Sequence, residues 1–187
     1  LGEHLRVGAC DEALYNELVH VPLFVFRPDG IGALDRKSQL VQPPDLFATL
    51  LDWFGVQRPD GCWGRSLLED RDAPLEAAAR NTDTPGDEPP RSTAITDSPT
   101  APADVALSVS QDQFALRTPG WMLKVRGDDC ELFLKPGDRC EVNEVGSLCP
   151  DIVEAMRQLA ANVIRAAENG ERDQVPAPTP DLCEYAE

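Results

Sequence analysis

A chain of 187 residues suffices for one domain or one and a half, and its net charge of −16 sets aside nucleic acid and anionic membranes as partners, because both repel such a surface. No apolar run reaches the roughly 18 residues that a transmembrane helix needs, so no transmembrane segment is expected. Hydrophobic residues make up 42% and proline is frequent, at 17 residues, so part of the chain is expected to be irregular. The start at Leu1 is neither an initiator Met nor a signal peptide, and it reads as an interior cut.

Asp11 to His20 has Ala13, Leu14, Glu17 and Leu18 at helical spacing, with Asp11 as N-cap and Glu12 near the helix start. Val21 to Phe26 is an apolar run with Pro22 at its second position, which reads as a strand covered on both faces. Such a strand expects neighbouring strands, and without them its exposed edge favours association. A loop from Arg27 to Lys37 and a short strand at Leu40 to Gln42 come next. From Asp45, the residues Leu46, Phe47, Leu50, Leu51 and Phe54 share a helical face until Gly55, so this helix is expected to bury that face and Leu50→Asp to break it.

Residues 69–104 form an acidic, Pro-rich linker nearly free of large apolar side chains, with one helical turn expected at Leu75 to Arg80 and a return to strand at Ala94 and Ile95. Val105 to Val109, Gln113 to Arg117, Trp121 to Val125 and Glu131 to Leu134 then alternate with Pro119-Gly120 and Gly127 to Asp129, the pattern of an antiparallel meander. Pro150 opens a helix whose Ile152, Val153, Met156, Leu159, Ala160, Val163 and Ile164 share a face, ending at Gly170. The cysteines at 10, 62, 130, 140, 149 and 183 lack zinc spacing. They read as buried free thiols, or, for Cys130 and Cys140, as a pair facing across the turn at Pro136-Gly137.

Several of these segments carry a resemblance. Gly2-Glu3-His4, Leu14-Tyr15-Asn16-Glu17 and His20-Val21-Pro22-Leu23 resemble the G-E-H-G, L-Y-x-E and x-V-P-L segments of sulfatases in the alkaline-phosphatase superfamily. Asp45 and Thr49 match that family's next helix, with Ala48 where Pro is usual, and Gly64-Arg65-Ser66-Leu67 matches its G-x-S-L turn. Phe114 to Thr118, Trp121 to Lys124, Glu131-Leu132-Phe133 and Asp138 through Asn143-Glu144-Val145 are similar to its small C-terminal subdomain, with Phe133 in place of Tyr. The resemblance spans residues 2–67 and 114–165.

The resemblance implies an α/β fold, the C-terminal part of an alkaline-phosphatase-like sulfatase, with a small antiparallel β subdomain and a terminal helix. In domain terms, residues 1–68 would be the C-terminal part of the α/β domain and 69–104 the linker. Residues 105–170 would be the antiparallel subdomain with its closing helix, and 171–187 a tail. The family hydrolyses sulfate esters with a formylglycine made from Cys or Ser in a C-x-P-S-R-like motif. Its hydrated aldehyde attacks sulfur while a divalent metal, usually calcium, and cationic side chains stabilise the developing charge.

No such motif occurs here. Cys62-Trp63-Gly64-Arg65 is one residue too short and reads as structural. Nucleophile and metal ligands are therefore expected upstream of Leu1, the chain alone is expected to be inactive and to need that N-terminal half, and its compartment is periplasmic or secreted by resemblance. The implied substrate is a sulfated small molecule or carbohydrate.

Within the chain, His4 is the leading pocket residue and Arg6 a substitute cation for an anionic substrate; the other reading has His4 bonded to backbone and Arg6 solvated. Leu5 stands where the family has Gly, and Ala9 or Cys10 near where a cation is expected. His20 reads as an element-end residue. Trp121 and Lys124 read either as a sugar-site wall or, from their alternation, as one residue in the core and one in solvent. Two alternatives stay open: a phosphoester hydrolase or transferase of the same superfamily with a Thr or Ser nucleophile, and a non-catalytic, sulfatase-derived remnant.

Overall fold

The computed structural model describes residues 14–26, 39–68, 105–171 and 175–184. They belong to two units, one of residues 1–41 with 102–187 and the other of 42–101. His4, Arg6, the helix start at Asp11, the loop at Arg27 to Lys37 and the linker 69–104 lie outside the described residues.

In the first unit a short helix, α1 (Asn16–Val19), precedes four strands, β1 (Ala106–Ser110), β2 (Gln113–Arg117), β3 (Trp121–Arg126) and β4 (Asp129–Leu134). The strands make one antiparallel sheet in the order β1-β2-β3-β4, the expected meander. The polar turns between the strands are short enough that each strand pairs with its successor. The register places Leu116 beside Leu123 and Leu123 beside Leu132, so these fully buried leucines line one face. The other face carries Ala115, Lys124 and Glu131 in one row, with Met122 beside Phe133.

The long helix α3 (Pro150–Asn169) packs against β3 and buries Met156, Leu159, Ala160, Val163 and Ala166. Pro150 stands at its first turn with Asp151, where a missing N–H costs nothing and a negative charge suits the dipole. Gly170 ends it in the left-handed region at φ +70°, donating its N–H to the carbonyls of Ala166 and Ala167. The second sheet face is covered instead by the α1 segment: Leu14 joins Ala115, Met122 and Phe133 in one apolar cluster with Val19 against it. A last helix, α4 (Pro180–Cys183), follows α3 and packs on it.

In the second unit the helix α2 (Pro43–Trp53) starts behind Gln42 and is followed by Gly55 at φ +64°. Its expected burial is reversed. Phe47, Leu50 and Phe54 are exposed, Leu50 at 54%, and Leu46 and Leu51 are half-buried, while Ala48 and Thr49 are buried. The side that meets the returning loop 58–67 carries Asp45, Thr49 and Asp52, which recur one helical turn apart and bind it through hydrogen bonds, with Ala48 buried beside them.

Two expected strands are also absent. Leu40 to Gln42 is irregular, with Gln42 serving as the N-cap of α2. Val21 to Phe26 is irregular and open to water, with Phe24 exposed at 88% and Phe26 at 92%. Among the described residues no strand pairs with this segment, so its backbone groups gain nothing from leaving solvent. The helix expected over Asp11 to His20 is present as α1 alone among the described residues.

Candidate functional site

In the second unit, residues near Asp45 and Thr49 meet those near Gly64 and Ser66 in a hydrogen-bonded knot. The Asp45 carboxylate accepts the Gln42 N–H at 2.8 Å and the Arg65 N–H at 2.9 Å, tying loop to helix start. Thr49 Oγ1 donates to the Asp45 carbonyl at 2.6 Å and accepts the Leu67 N–H at 2.9 Å. Gly64 lies so close to Pro44 that a Cβ there would stand 1.8 Å from the Pro44 carbonyl oxygen. Ser66 is buried, and its hydroxyl accepts the Leu68 N–H at 3.2 Å.

Beside the knot, Asp52 and Arg58 form a two-point pair, Nε to Oδ1 at 3.0 Å and Nη2 to Oδ2 at 2.5 Å. Arg58 holds the Asp52 carboxyl below its ordinary value; burial opposes it, and a Ser66 hydrogen bond assists it. Asp45, Thr49, Gly64 and Ser66 thus carry architecture here. Cys62-Trp63-Gly64-Arg65 falls in this loop, and Arg65 Nη2 is buried without a hydrogen-bond partner.

In the first unit the charged side chains gather on the α1 side of the sheet. Lys124 is buried, donates to Glu131 at 2.9 Å across the β3–β4 pair, and holds its ammonium 3.3 Å from the centre of the Tyr15 ring. The solvent position open to Lys124 in the sequence reading is therefore corrected: the pairing carboxylate and the aromatic face replace its water. Arg117 Nη1 donates to the carbonyls of Thr118, Pro119 and Trp121. Burial lowers its guanidinium to about 10, with Glu141 acting in the opposite sense, so it stays charged at neutral pH.

Lys135 and Glu141 form a second pair at 3.0 Å, their side chains 3% and 0% exposed. Lys135 also donates to the Asp138 carbonyl at 2.6 Å, and the free Glu141 oxygen, Oε2, accepts the Asn16 N–H of α1 at 3.1 Å. Asp138 closes the loop by accepting the N–H groups of Val142 and Asn143. At the far end of the sheet, Trp121 Nε1 donates to the Asp181 carbonyl at 2.9 Å, and Thr118 Oγ1 donates to the Leu182 carbonyl at 2.5 Å. Trp121 is therefore a buried anchor for the tail.

The structure thus brings Tyr15, Lys124, Glu131, Arg117, Lys135 and Glu141 into one layer. Each of the three cations already has acceptors within the fold. Nothing in the local sequence pattern signals that Lys135 and Glu141 pair, although both flank the Asp138 turn. His20 is exposed and ends α1, its N–H on the Asn16 carbonyl at 2.8 Å. Among the described residues Cys130, Cys140 and Cys149 are free thiols, Cys140 is exposed, and Cys62, Cys130, Cys149 and Cys183 are half-buried, so the expected full burial is corrected.

Among the described residues no three His, Cys, Asp or Glu side chains come together as a metal site. Nor is any described helix long and apolar enough to cross a membrane.

No family model matches the sequence, and no curated protein matches it. Among solved structures, the chain is similar to that of BT4656 in complex with its substrate D-glucosamine-2-N,6-O-disulfate, at 16% sequence identity and a TM-score of 0.43. The match covers 69% of this chain and 25% of that one, so the chain spans about a quarter of the protein it matches.

Proposed function

We propose that this chain belongs to a sulfatase-like hydrolase that cleaves sulfate esters, with a sulfated carbohydrate or small molecule as substrate. The observation that supports the reading is the knot in the second unit: Asp45 and Thr49 of one motif accept the N–H groups of Arg65 and Leu67 of the other, about twenty residues on, and Gly64 packs against Pro44. Motifs that resemble a family in order and spacing have greater weight when their residues depend on one another. On this reading His4 and Arg6 hold the anionic group, while the formylglycine nucleophile and the divalent metal, calcium, come from residues preceding this chain. The described part supplies a framework and one wall.

The experiment is an assay of the full-length polypeptide that carries this chain, with 4-nitrophenyl sulfate, a sulfated glucosamine and 4-nitrophenyl phosphate, each with and without added calcium. Sulfate release supports the reading. Phosphate release without sulfate release replaces it with a phosphoester hydrolase of the same superfamily. A second reading, a non-catalytic derivative, is favoured by Leu5, Ala9 and Cys10, where the family carries Gly and a cation. Turnover of none of the three esters selects it.

A further inference from the structure

We propose that Glu141 is the positioning residue for the segment 14–20, and that its ion pair with Lys135 serves to aim its carboxylate at that segment rather than to stabilise the sheet. Four observations converge on it. First, α1 is only four residues long and its N-cap, Tyr15, makes no side-chain cap hydrogen bond. A helix so short has no stability of its own in water. Second, the cap arrives from 125 residues away, as Glu141 Oε2 accepts the N–H of Asn16, an amide that the helix cannot pair internally.

Third, the carboxylate is fully buried and its other oxygen is held by Lys135, itself fixed by the Asp138 carbonyl. A buried ion pair is weak evidence for stability, because an apolar pair of similar volume often serves as well; what it adds is direction. Fourth, Glu141 sits at φ +53°, in the left-handed region that non-glycine residues rarely adopt. That conformation turns its side chain inward from a loop whose neighbours Cys140 and Val142 are exposed.

The consequence is a division of labour. Leu14 supplies apolar contact with Ala115, Met122 and Phe133, which is non-directional, and Glu141 fixes the register in which that contact is made. This assignment stands apart from the sulfate-ester reading, and its test uses no turnover.

The test is amide hydrogen exchange, residue by residue, in the whole chain and in two variants: Glu141→Gln, and Lys135→Met combined with Glu141→Leu. The double variant removes both charges and leaves an apolar core. Exchange of the Asn16 to His20 amides should rise about tenfold or more, the worth of a hydrogen bond to a charged group, while β2, β3 and β4 amides keep their rates. Glu141→Gln retains an acceptor for the Asn16 N–H and should fall between. Unchanged exchange at Asn16 to His20 in the double variant overturns the proposal. So does a rise shared equally by the sheet in both variants, since the pair would then be a general stabiliser.

Discussion

Gly64 has no room for a side chain, and the atoms that a Cβ would meet are backbone: the Pro44 oxygen and carbon and the Asp45 nitrogen. Backbone cannot rotate away as a side chain does. Gly64→Ala should therefore destabilise the second unit by about 2–3 kcal/mol or more, read from urea unfolding, whereas Gly61→Ala meets no atoms and pays only for φ +76°. Near the same knot, the Asp52 carboxyl is depressed in the folded state from an ordinary value of 3.8 by Arg58. Its contribution is thus present above that ordinary value and lost as pH falls through the folded value. Stability measured from pH 6 to pH 2 should decline in acid, and Asp52→Asn should flatten the part of the decline below about pH 4. An identical acid profile in the variant would remove Asp52 from the explanation.

At the scale of elements, α2 and α3 show what an apolar pattern does and does not reveal. In α3 the face read from Met156, Leu159, Ala160 and Val163 is the buried face, because the sheet it needs is formed within the same unit. In α2 the apolar face lies open and the polar residues Asp45, Thr49 and Asp52 face the loop, so Leu50→Asp should change stability by less than about 0.5 kcal/mol, against about 2–5 for Met156→Ala. Thermal unfolding followed by circular dichroism compares the two. The meander was legible because turn residues fall between short strand patterns, and once Arg126 pairs with Asp129 the register alone sets Lys124 beside Glu131. The contact of Glu141 with Asn16 was not legible, since no local pattern tells a carboxylate in a loop that it will meet an amide 125 residues distant. The strand expected at Val21 to Phe26 failed for the complementary reason: β propensity needs a partner strand to act on. The tail is another element whose role emerges only in three dimensions. Deleting residues 175–187 removes the Leu182 and Asp181 carbonyls that Thr118 and Trp121 donate to, with the buried Leu182 itself, and should cost about 2–4 kcal/mol with a red shift of tryptophan emission.

For the whole molecule, two features act against each other. Val21, Phe24, Phe26, Phe54 and Val56 expose apolar surface, while the net charge of −16 keeps copies apart. Added salt screens the repulsion and leaves the apolar surface unchanged, so association should rise from low salt to about 0.5 M sodium chloride in sedimentation velocity. A monomer at every salt concentration would mean that these side chains find cover in solution. The proposed sulfate-ester reading takes His4 and Arg6 as its anion contacts. It is tested by kcat/KM for a sulfate monoester, measured for the full-length polypeptide and for its His4→Ala/Arg6→Ala variant. Loss of two charge-assisted contacts to the substrate predicts a fall of about tenfold or more, and an unchanged kcat/KM contradicts the assignment.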